Sequence, residues 1–419
     1  MEAVEIFVRE CMHRAGAAAL SHLLNEGPPE SRAIPCSCGH SALYKELRSK
    51  PVLTVVGPVE YQRPYYVCAE CHHAPNPTDA ALGVEQEEFS PGVRRMMAVV
   101  GSESPFALGR ERLELPAGLQ VSTKSVERQA EQIGAAIMRL EQAEIQRSVQ
   151  LQLPIPLGAP IPVMYVKIDA TGIPVVKKET QGRIGKVEGQ PAHTREVKLG
   201  CVFTSVGVDK ENRPVRDEAS TTYTGAIETA GELARRIYRE AYQRGWPRAR
   251  IKVVLGDGAI WIWNLAAEQF PGAIFIVDFY HASEHLHKLS RLLFPSDEAA
   301  RRGWTASVVD LLDKGEIESL VAVLRSLLSE RPALAEKLET EAEYFERNAD
   351  KMRYPDFRAQ CLFVGSGVIE AGCKTVIGSS LKQSAMFWTV QGANRIIALR
   401  CCRVSGKFED FWEKAQSAA

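Results

Sequence analysis

Val163-Met164-Tyr165-Val166-Lys167-Ile168-Asp169 is the stretch on which the fold turns. It is an apolar run closed by a carboxylate, the pattern of a buried strand that ends at a polar turn. Ile251-Lys252-Val253-Val254-Leu255-Gly256-Asp257 repeats that form. Strand-like runs at 163–168, 197–208, 219–223, 251–255 and 273–277 surround them, with helical patterns at 226–244, 259–269 and 281–293. This order predicts an α/β chain, with a mixed sheet covered by helices on both faces. Residues from about 297 to 350 lose the strands and read as pure helix, and 370–400 return to helix with Gly and Ser punctuation.

Upstream, residues 1–26 carry apolar positions close to a 3.6 period and end at Gly27-Pro28-Pro29. Residues 34–82 are turn-rich and cysteine-bearing, with strand-like alternation at 53–57 and 61–67. Ser90-Pro91 offers an N-cap followed by proline at the first helical position. Helical pattern then runs to about 148, broken near Leu115-Pro116-Ala117-Gly118, and the prolines of 151–162 form a linker. The expected division is an N-terminal helix (1–30), a zinc ribbon-like module (31–89) and a helical domain (90–150). A sheet-bearing core (160–295), an all-helical insertion (296–360) and a C-terminal piece of the core (361–419) follow.

The chain has 419 residues, 25% of them charged and 45% hydrophobic, which suits a globular protein of two or three domains. A net charge of −1 neither advertises nor excludes nucleic acid, so any such surface must be local. No run is long and apolar enough for a membrane span, and the acidic start Met1-Glu2-Ala3-Val4-Glu5 lacks a signal peptide's basic region. A cytoplasmic protein with no membrane partner is expected, its ten cysteines reduced.

Glu370 joins the two aspartates as a third carboxylate, at a predicted helix start in Gly365-Ser366-Gly367-Val368-Ile369-Glu370-Ala371-Gly372. Each aspartate alone has a plainer reading, as a cap for the turn or helix that follows it. Brought together, Asp169, Asp257 and Glu370 would repel unless a divalent cation sat among them, and hard oxygens suit Mg²⁺ or Mn²⁺. Asp278 and His281, in Asp278-Phe279-Tyr280-His281-Ala282, stand at another strand-to-helix junction; His281 beside the metal site is one reading, but the residues alone favour Asp278 as a helix cap with His281 packed in the first turn.

These segments together resemble the DDE transposases of bacterial insertion sequences, most closely the Kra-type group related to Mutator-like elements. The resemblance is carried by Lys167-Ile168-Asp169-Ala170-Thr171-Gly172-Ile173-Pro174, Gly256-Asp257-Gly258-Ala259-Ile260-Trp261-Ile262-Trp263 and Asp278-Phe279-Tyr280-His281-Ala282. Gly367-Val368-Ile369-Glu370-Ala371-Gly372-Cys373-Lys374 and the run Gly378 to Trp388 complete it, so that it covers residues 160–400. It implies an RNase H-like fold with a helical insertion ahead of the glutamate. It implies that Asp169, Asp257 and Glu370 bind Mg²⁺ (or Mn²⁺) for phosphoryl transfer, and that His281 belongs to the site. It also implies double-stranded DNA as partner, both element ends and target, a homo-oligomer on that DNA, and a nucleoid-associated place in the cytoplasm. The chain departs from the family at Ala170, where glycine is frequent, and near Ser380 and Phe387, where an arginine is.

Cys36-Ser37-Cys38 and Cys68-Ala69-Glu70-Cys71 are paired knuckles that suit a structural, tetrahedral Zn²⁺, with His40, His72 and His73 as alternative ligands. In the resembled enzymes such a module binds DNA ends. Residues 90–135 read as two helices, a turn and a third helix, an arrangement that suits a helix-turn-helix (HTH-like) or plain three-helix packing. In the first case Lys124 and Arg128 face DNA. After the glutamate, Lys374, Lys382 and Arg395 are candidates for phosphate contacts. Two other readings stand beside the transposase: a DNA-binding protein derived from one with catalysis impaired, and an RNase H-fold nuclease that cleaves without joining.

Overall fold

The chain divides into two compact units, one of residues 1–137 with 407–419 and one of residues 138–406. This computed structural model describes residues 1–25, 31–185, 192–365, 367–383 and 386–417, with the side chains of Glu370, Ser379, Gln416 and Ser417 outside that description.

The first unit begins with α1 (Glu2–Leu24), which lies along the third of three antiparallel strands, β1 (Ala33–Pro35), β2 (Ser41–Thr54) and β3 (Gly57–Cys68). Val55-Val56 connects the two long strands, and Gly57 takes a left-handed φ of 106° that lets so short a turn close. The hairpin outruns the strand-like stretches read from sequence because most of β2 is exposed and polar, leaving little apolar alternation to see. After it, α2 (Pro77–Ala81) buries Asp79, whose carboxylate is bonded by Lys50 at 2.9 Å, by the Tyr61 hydroxyl at 2.7 Å and by Arg63. Three helices follow: α3 (Pro91–Glu103), α4 (Phe106–Ala117) and α5 (Thr123–Val149). Ser90 caps α3 with Pro91 in its first turn, and Gly118 ends α4 in the left-handed region at φ 66°. Phe89, Val93, Met97, Leu113, Leu119 and Val126 form their core.

The second unit starts within α5 and holds a six-stranded mixed sheet: β4 (Ile161–Pro174), β5 (Thr194–Val208), β6 (Pro214–Arg216), β7 (Thr222–Ala226), β8 (Ala249–Gly256) and β9 (Ile274–Val277). The order is β6-β5-β4-β8-β9, with β7 also on β5; β4 and β5 are antiparallel, while β4, β8 and β9 are mutually parallel. Met164 to Ile168 are buried without interruption. That is why the central strand reads as a continuous apolar run rather than an alternating one.

Parallel neighbours need crossovers, and α6 (Ala230–Gln243) and α7 (Ile260–Gln269) supply them. A capping box between Thr229 and Glu232 starts α6. Its inward face carries Arg236 and Arg239, which pair with Glu141 and Glu144 of α5 and with Glu228. Beyond β9 come α8 (Phe279–Leu293) and a helical block of α9 (Glu298–Asp313), α10 (Ile317–Glu330), α11 (Ala335–Arg347) and α12 (Tyr354–Ala359). The chain returns to the sheet through α13 (Val368–Gly372), a π-helical turn at Cys373–Gly378, α14 (Ser379–Leu381) and α15 (Val390–Val404). The last helix, α16 (Phe408–Ser417), joins the first unit, where Glu409 pairs with Arg95. No described helix is long and apolar enough to cross a membrane.

Candidate metal centres

Three aspartates stand abreast where the parallel pairing ends, although β4 itself does not stop at Asp169 as its sequence suggests but runs on to Pro174, paired with β5. Lys167 of β4 opposes Leu255 of β8, and Gly256 opposes Val277 of β9. Continuing these registers sets Asp169, Asp257 and Asp278 in one row, on strands whose spacing is about 4.8 Å. The row is tight at its far side, where the Asp278 N–H donates to the Gly256 carbonyl at 2.8 Å.

The members differ in what already holds them. Asp278 is 2% exposed, accepts from the N–H groups of Tyr280 and His281 at the start of α8, and pairs with buried Lys167. It is therefore a helix cap with its charge balanced. Asp257 Oδ1 accepts the Ala259 N–H at 2.8 Å, and its Oδ2 has no protein partner among the described residues. Asp169 accepts its neighbour Ala170's N–H and the Cys373 thiol, the latter at 3.4 Å. Neither half-buried Asp169 nor Asp257 has an ion pair among the described residues.

The Glu370 side chain lies outside the described residues, but the chain on either side of it is placed. Before it, the Tyr165 hydroxyl accepts the Phe363 N–H at 3.3 Å, and the Val364 carbonyl accepts the Phe279 N–H at 2.8 Å. After it, Cys373 meets Asp169, and its thiol is pushed up by burial and by that carboxylate. The short helix α13 packs on β4 and β5, with Gly372 against the Tyr223 ring. The backbone of Glu370 is thus anchored one helical turn from the contact with Asp169.

Behind Asp257 is a support that the sequence did not reveal. Gly258, at φ 91°, packs on Tyr344 so closely that a Cβ would lie 2.5 Å from its ring. The Tyr344 hydroxyl donates to the Asp257 carbonyl at 2.8 Å. His285 stacks on Tyr344 with ring centroids 4.3 Å apart and bonds Glu341 at 2.7 Å. His281 lies beside His285, their centroids 5.3 Å apart, on the same turn-and-a-bit of α8. These partners come from α8 and α11, so no local pattern ties them to Asp257.

Of the basic candidates, Lys374 and Lys382 are exposed, and Lys382 donates to the Thr171 hydroxyl at 2.5 Å, two residues beyond Asp169. Arg395 is half-buried on α15. Lys124 and Arg128 belong to the first unit, where they pair with Glu127 at 2.9 Å and Glu88 at 2.6 Å. Trp388 is buried and donates to the Leu381 carbonyl, so its indole is a core group.

The cysteines make a second centre, in the first unit. Cys36, Cys38, Cys68 and Cys71 place their sulfurs within 4.8 Å of one another. Cys36 and Cys71 are 3.5 Å apart and Cys38 and Cys68 3.6 Å, all four thiols being free. Disulfide sulfurs would be about 2 Å apart, whereas tetrahedral zinc with bonds of about 2.3 Å sets them roughly 3.8 Å apart. The geometry fits zinc. Charge argues the same way. The Cys38 N–H holds Cys36 down to about 6, while Cys71, despite an N–H from His73, is pushed up to about 12 by Cys38 and Cys36. Four thiolates this close need a cation. His40 Nδ1 lies 3.6 Å from the Cys38 sulfur, outside the four.

No protein-family model matches the chain, and no curated protein matches it. Among solved structures, a chain of the "Drosophila P element transposase strand transfer complex" aligns over 80% of this chain and 84% of its own length, at 9% identity and a TM-score of 0.27. A likeness at that level carries no argument about fold or function.

Proposed function

We propose that this chain is a DDE-type DNA transposase, which uses Mg²⁺ or Mn²⁺ to cleave and join DNA at the ends of an insertion element. The observation that carries the reading is that Asp169 and Asp257 lie just beyond the last paired residues of two adjacent parallel strands, in matching register, with the Glu370 helix packed on Asp169's strand. A central strand flanked by one antiparallel and one parallel neighbour is what an RNase H-like sheet requires, and this sheet has it.

Asp169, Asp257 and Glu370 would hold the metal, which when bound supplies charge stabilisation for an in-line phosphoryl displacement. The chain's own groups prepare that cage. Lys167 neutralises Asp278, so the row presents Asp169 and Asp257 as its carboxylates without a cationic partner. Tyr344 fixes the backbone of Asp257, and Cys373 donates to Asp169. Lys374 and Lys382, exposed next to this end of the sheet, would track a phosphate backbone, with Arg395 and His281 further contacts. In the first unit, Zn²⁺ on the four cysteines would shape a DNA-end-binding module, and Lys124 and Arg128 would approach DNA from α5. Assembly as a homo-oligomer on DNA, at the nucleoid, completes the reading.

The test is strand transfer on DNA carrying the flanking element ends, with Mg²⁺ or Mn²⁺, comparing the native chain with Glu370→Gln. Joined products that vanish in the variant support the transposase. Cleavage without joining replaces it with a nuclease, and DNA binding with no chemistry in either protein replaces it with a DNA-binding relic.

A further inference from the structure

Away from the aspartate row, the second unit carries a cleft of about 430 Å³ between α8 and α9. Its walls bear His287 and Arg291 from α8, and Arg301 and Arg302 from α9, over a floor that includes Ala306 and Val309. No acidic side chain lines it. The guanidinium groups of Arg291 and Arg301 have no hydrogen bond or ion pair among the described residues, and that of Arg302 reaches Glu298 only at 3.9 Å.

Three arginines of the same helical block are instead paired. Arg325 pairs with Glu346 at 2.8 Å, Arg353 pairs with Glu318, and Arg358 pairs with Asp313 at 2.6 Å. Arg331 and Arg347 of the block also have no ion pair among the described residues, so what sets the cleft apart is the gathering of three arginines around one concavity with no carboxylate among its lining residues. In the cleft Arg291, Arg301 and Arg302 line a single concavity. Arg301 and Arg302 also sit early in α9, near the end of a helix that disfavours cations. Like charges gathered without a counter-ion cost stability, and a low-lying concave site focuses their field outward. An anion resolves both. Arginine is the side chain whose planar fork suits phosphate oxygens, and two unpaired forks beside an imidazole match a run of backbone phosphates better than a single small anion.

We infer that the cleft between α8 and α9 is a phosphate-backbone site for duplex DNA, engaged by Arg291 and Arg301 with His287 and Arg302 at its rim. The inference rests on the proposal that DNA is the substrate, and adds a contact surface on the helical block, separate in sequence from the acidic residues. Since phosphate contacts position DNA without reading its sequence, the cleft contributes affinity and not specificity.

The experiment measures binding of the whole, zinc-loaded chain to a fluorescent duplex by anisotropy across a salt series, with no Mg²⁺ or Mn²⁺ added. Arg291→Ala, Arg301→Ala and the double variant are compared with the native chain and with Arg325→Ala, and all are checked by thermal melting. The double variant is expected to bind about tenfold more weakly, and its log–log salt slope to be shallower by roughly 2, since each lost phosphate contact removes about 0.9. Arg325→Ala should match the native chain. Unchanged affinity and slope in the double variant overturn the inference while leaving the transposase reading in place. Inorganic phosphate at millimolar concentration that protects the native chain from melting, with no change in DNA binding by the double variant, overturns it in favour of a small-anion site. A native chain that binds no DNA at all overturns both.

Discussion

Lys167 and Asp278, 111 residues apart in sequence, form an ion pair in which each side chain is only 3% exposed. The pair joins the central strand β4 to the start of α8, and through Asp278 it closes one end of the row of aspartates. Removing one partner of such a pair strands the other charge in a medium that solvates it poorly. Lys167→Met is therefore expected to lower unfolding free energy by about 3–5 kcal/mol, the range for breaking a buried pair. Urea denaturation monitored by circular dichroism checks this. A loss under about 1 kcal/mol would mean that water reaches the pair.

Asp169→Asn and Asp257→Asn address the proposed cage itself. Both side chains are half-buried and neither has a cationic partner among the described residues, so their loss should disturb folding little. Metal-dependent cleavage of element-end DNA should fall by about 100-fold or more, as when one group that stabilises transition-state charge is removed. Retained activity in either variant, with the melting temperature unchanged, would exclude that aspartate from the chemistry.

Gly258→Ala tests whether Tyr344 sets the position of Asp257. The new Cβ would meet the Tyr344 ring at 2.5 Å, on a backbone at φ 91° that alanine resists. A stability loss of about 1–3 kcal/mol is expected from strain of this kind. Tyr344→Phe keeps the stacking on His285 but deletes the bond to the Asp257 carbonyl. It should melt within a few degrees of the native chain yet turn over DNA more slowly, with substrate binding preserved.

Glu341 supplies a pH dependence. Burial alone would raise its carboxyl, but the bonds from His285 and Lys337 outweigh that and hold it below its ordinary 4.5. A carboxyl held low in the folded state adds stability above its unfolded value, about 4.3, and loses it as pH falls through the folded value. Glu341→Gln should therefore be less stable than the native chain at pH 7. The gap should close as the pH drops through the carboxylate range. Chemical denaturation at stepped pH reads it, and a gap that persists into strong acid would assign the effect to packing.

Structural zinc makes a separate prediction about the four cysteines. Purified protein should carry close to one zinc per chain by elemental analysis, and Cys68→Ser should lose it. A strong chelator should then loosen the hairpin of β2 and β3 while the second unit keeps its own melting transition. Protein that is fully folded without zinc would make the sulfurs a packing cluster.

What the sequence disclosed followed how local each signal is. Val163 to Ile168 could be read because a strand buried on both faces must be continuously apolar, and Ser90-Pro91 because capping is settled within four residues. β6 escaped because Pro214–Arg216 is too short to show alternation. The aspartates could be named one by one, but their register could not, since it depends on which strands become neighbours. Tyr344, His285 and Glu341 had no legible link to Asp257, because α8 and α11 meet only in the folded chain. The same holds for Lys167, whose partner Asp278 lies 111 residues further along the chain.

The hairpin of β2 and β3 has a consequence for the order in which its end of the molecule assembles. Its tight turn at Val55-Val56 lies at one extreme, and the Ala42–Cys68 pairing at the other brings the two knuckles side by side. A chain closes short loops before long ones, so pairing starts at the turn and travels toward the sulfurs. The four thiols converge only after the last rungs have formed. Metal capture is then the closing event of that zipper, a latch fastened on a nearly finished ribbon, and until it fastens the cysteine end is where the ribbon frays.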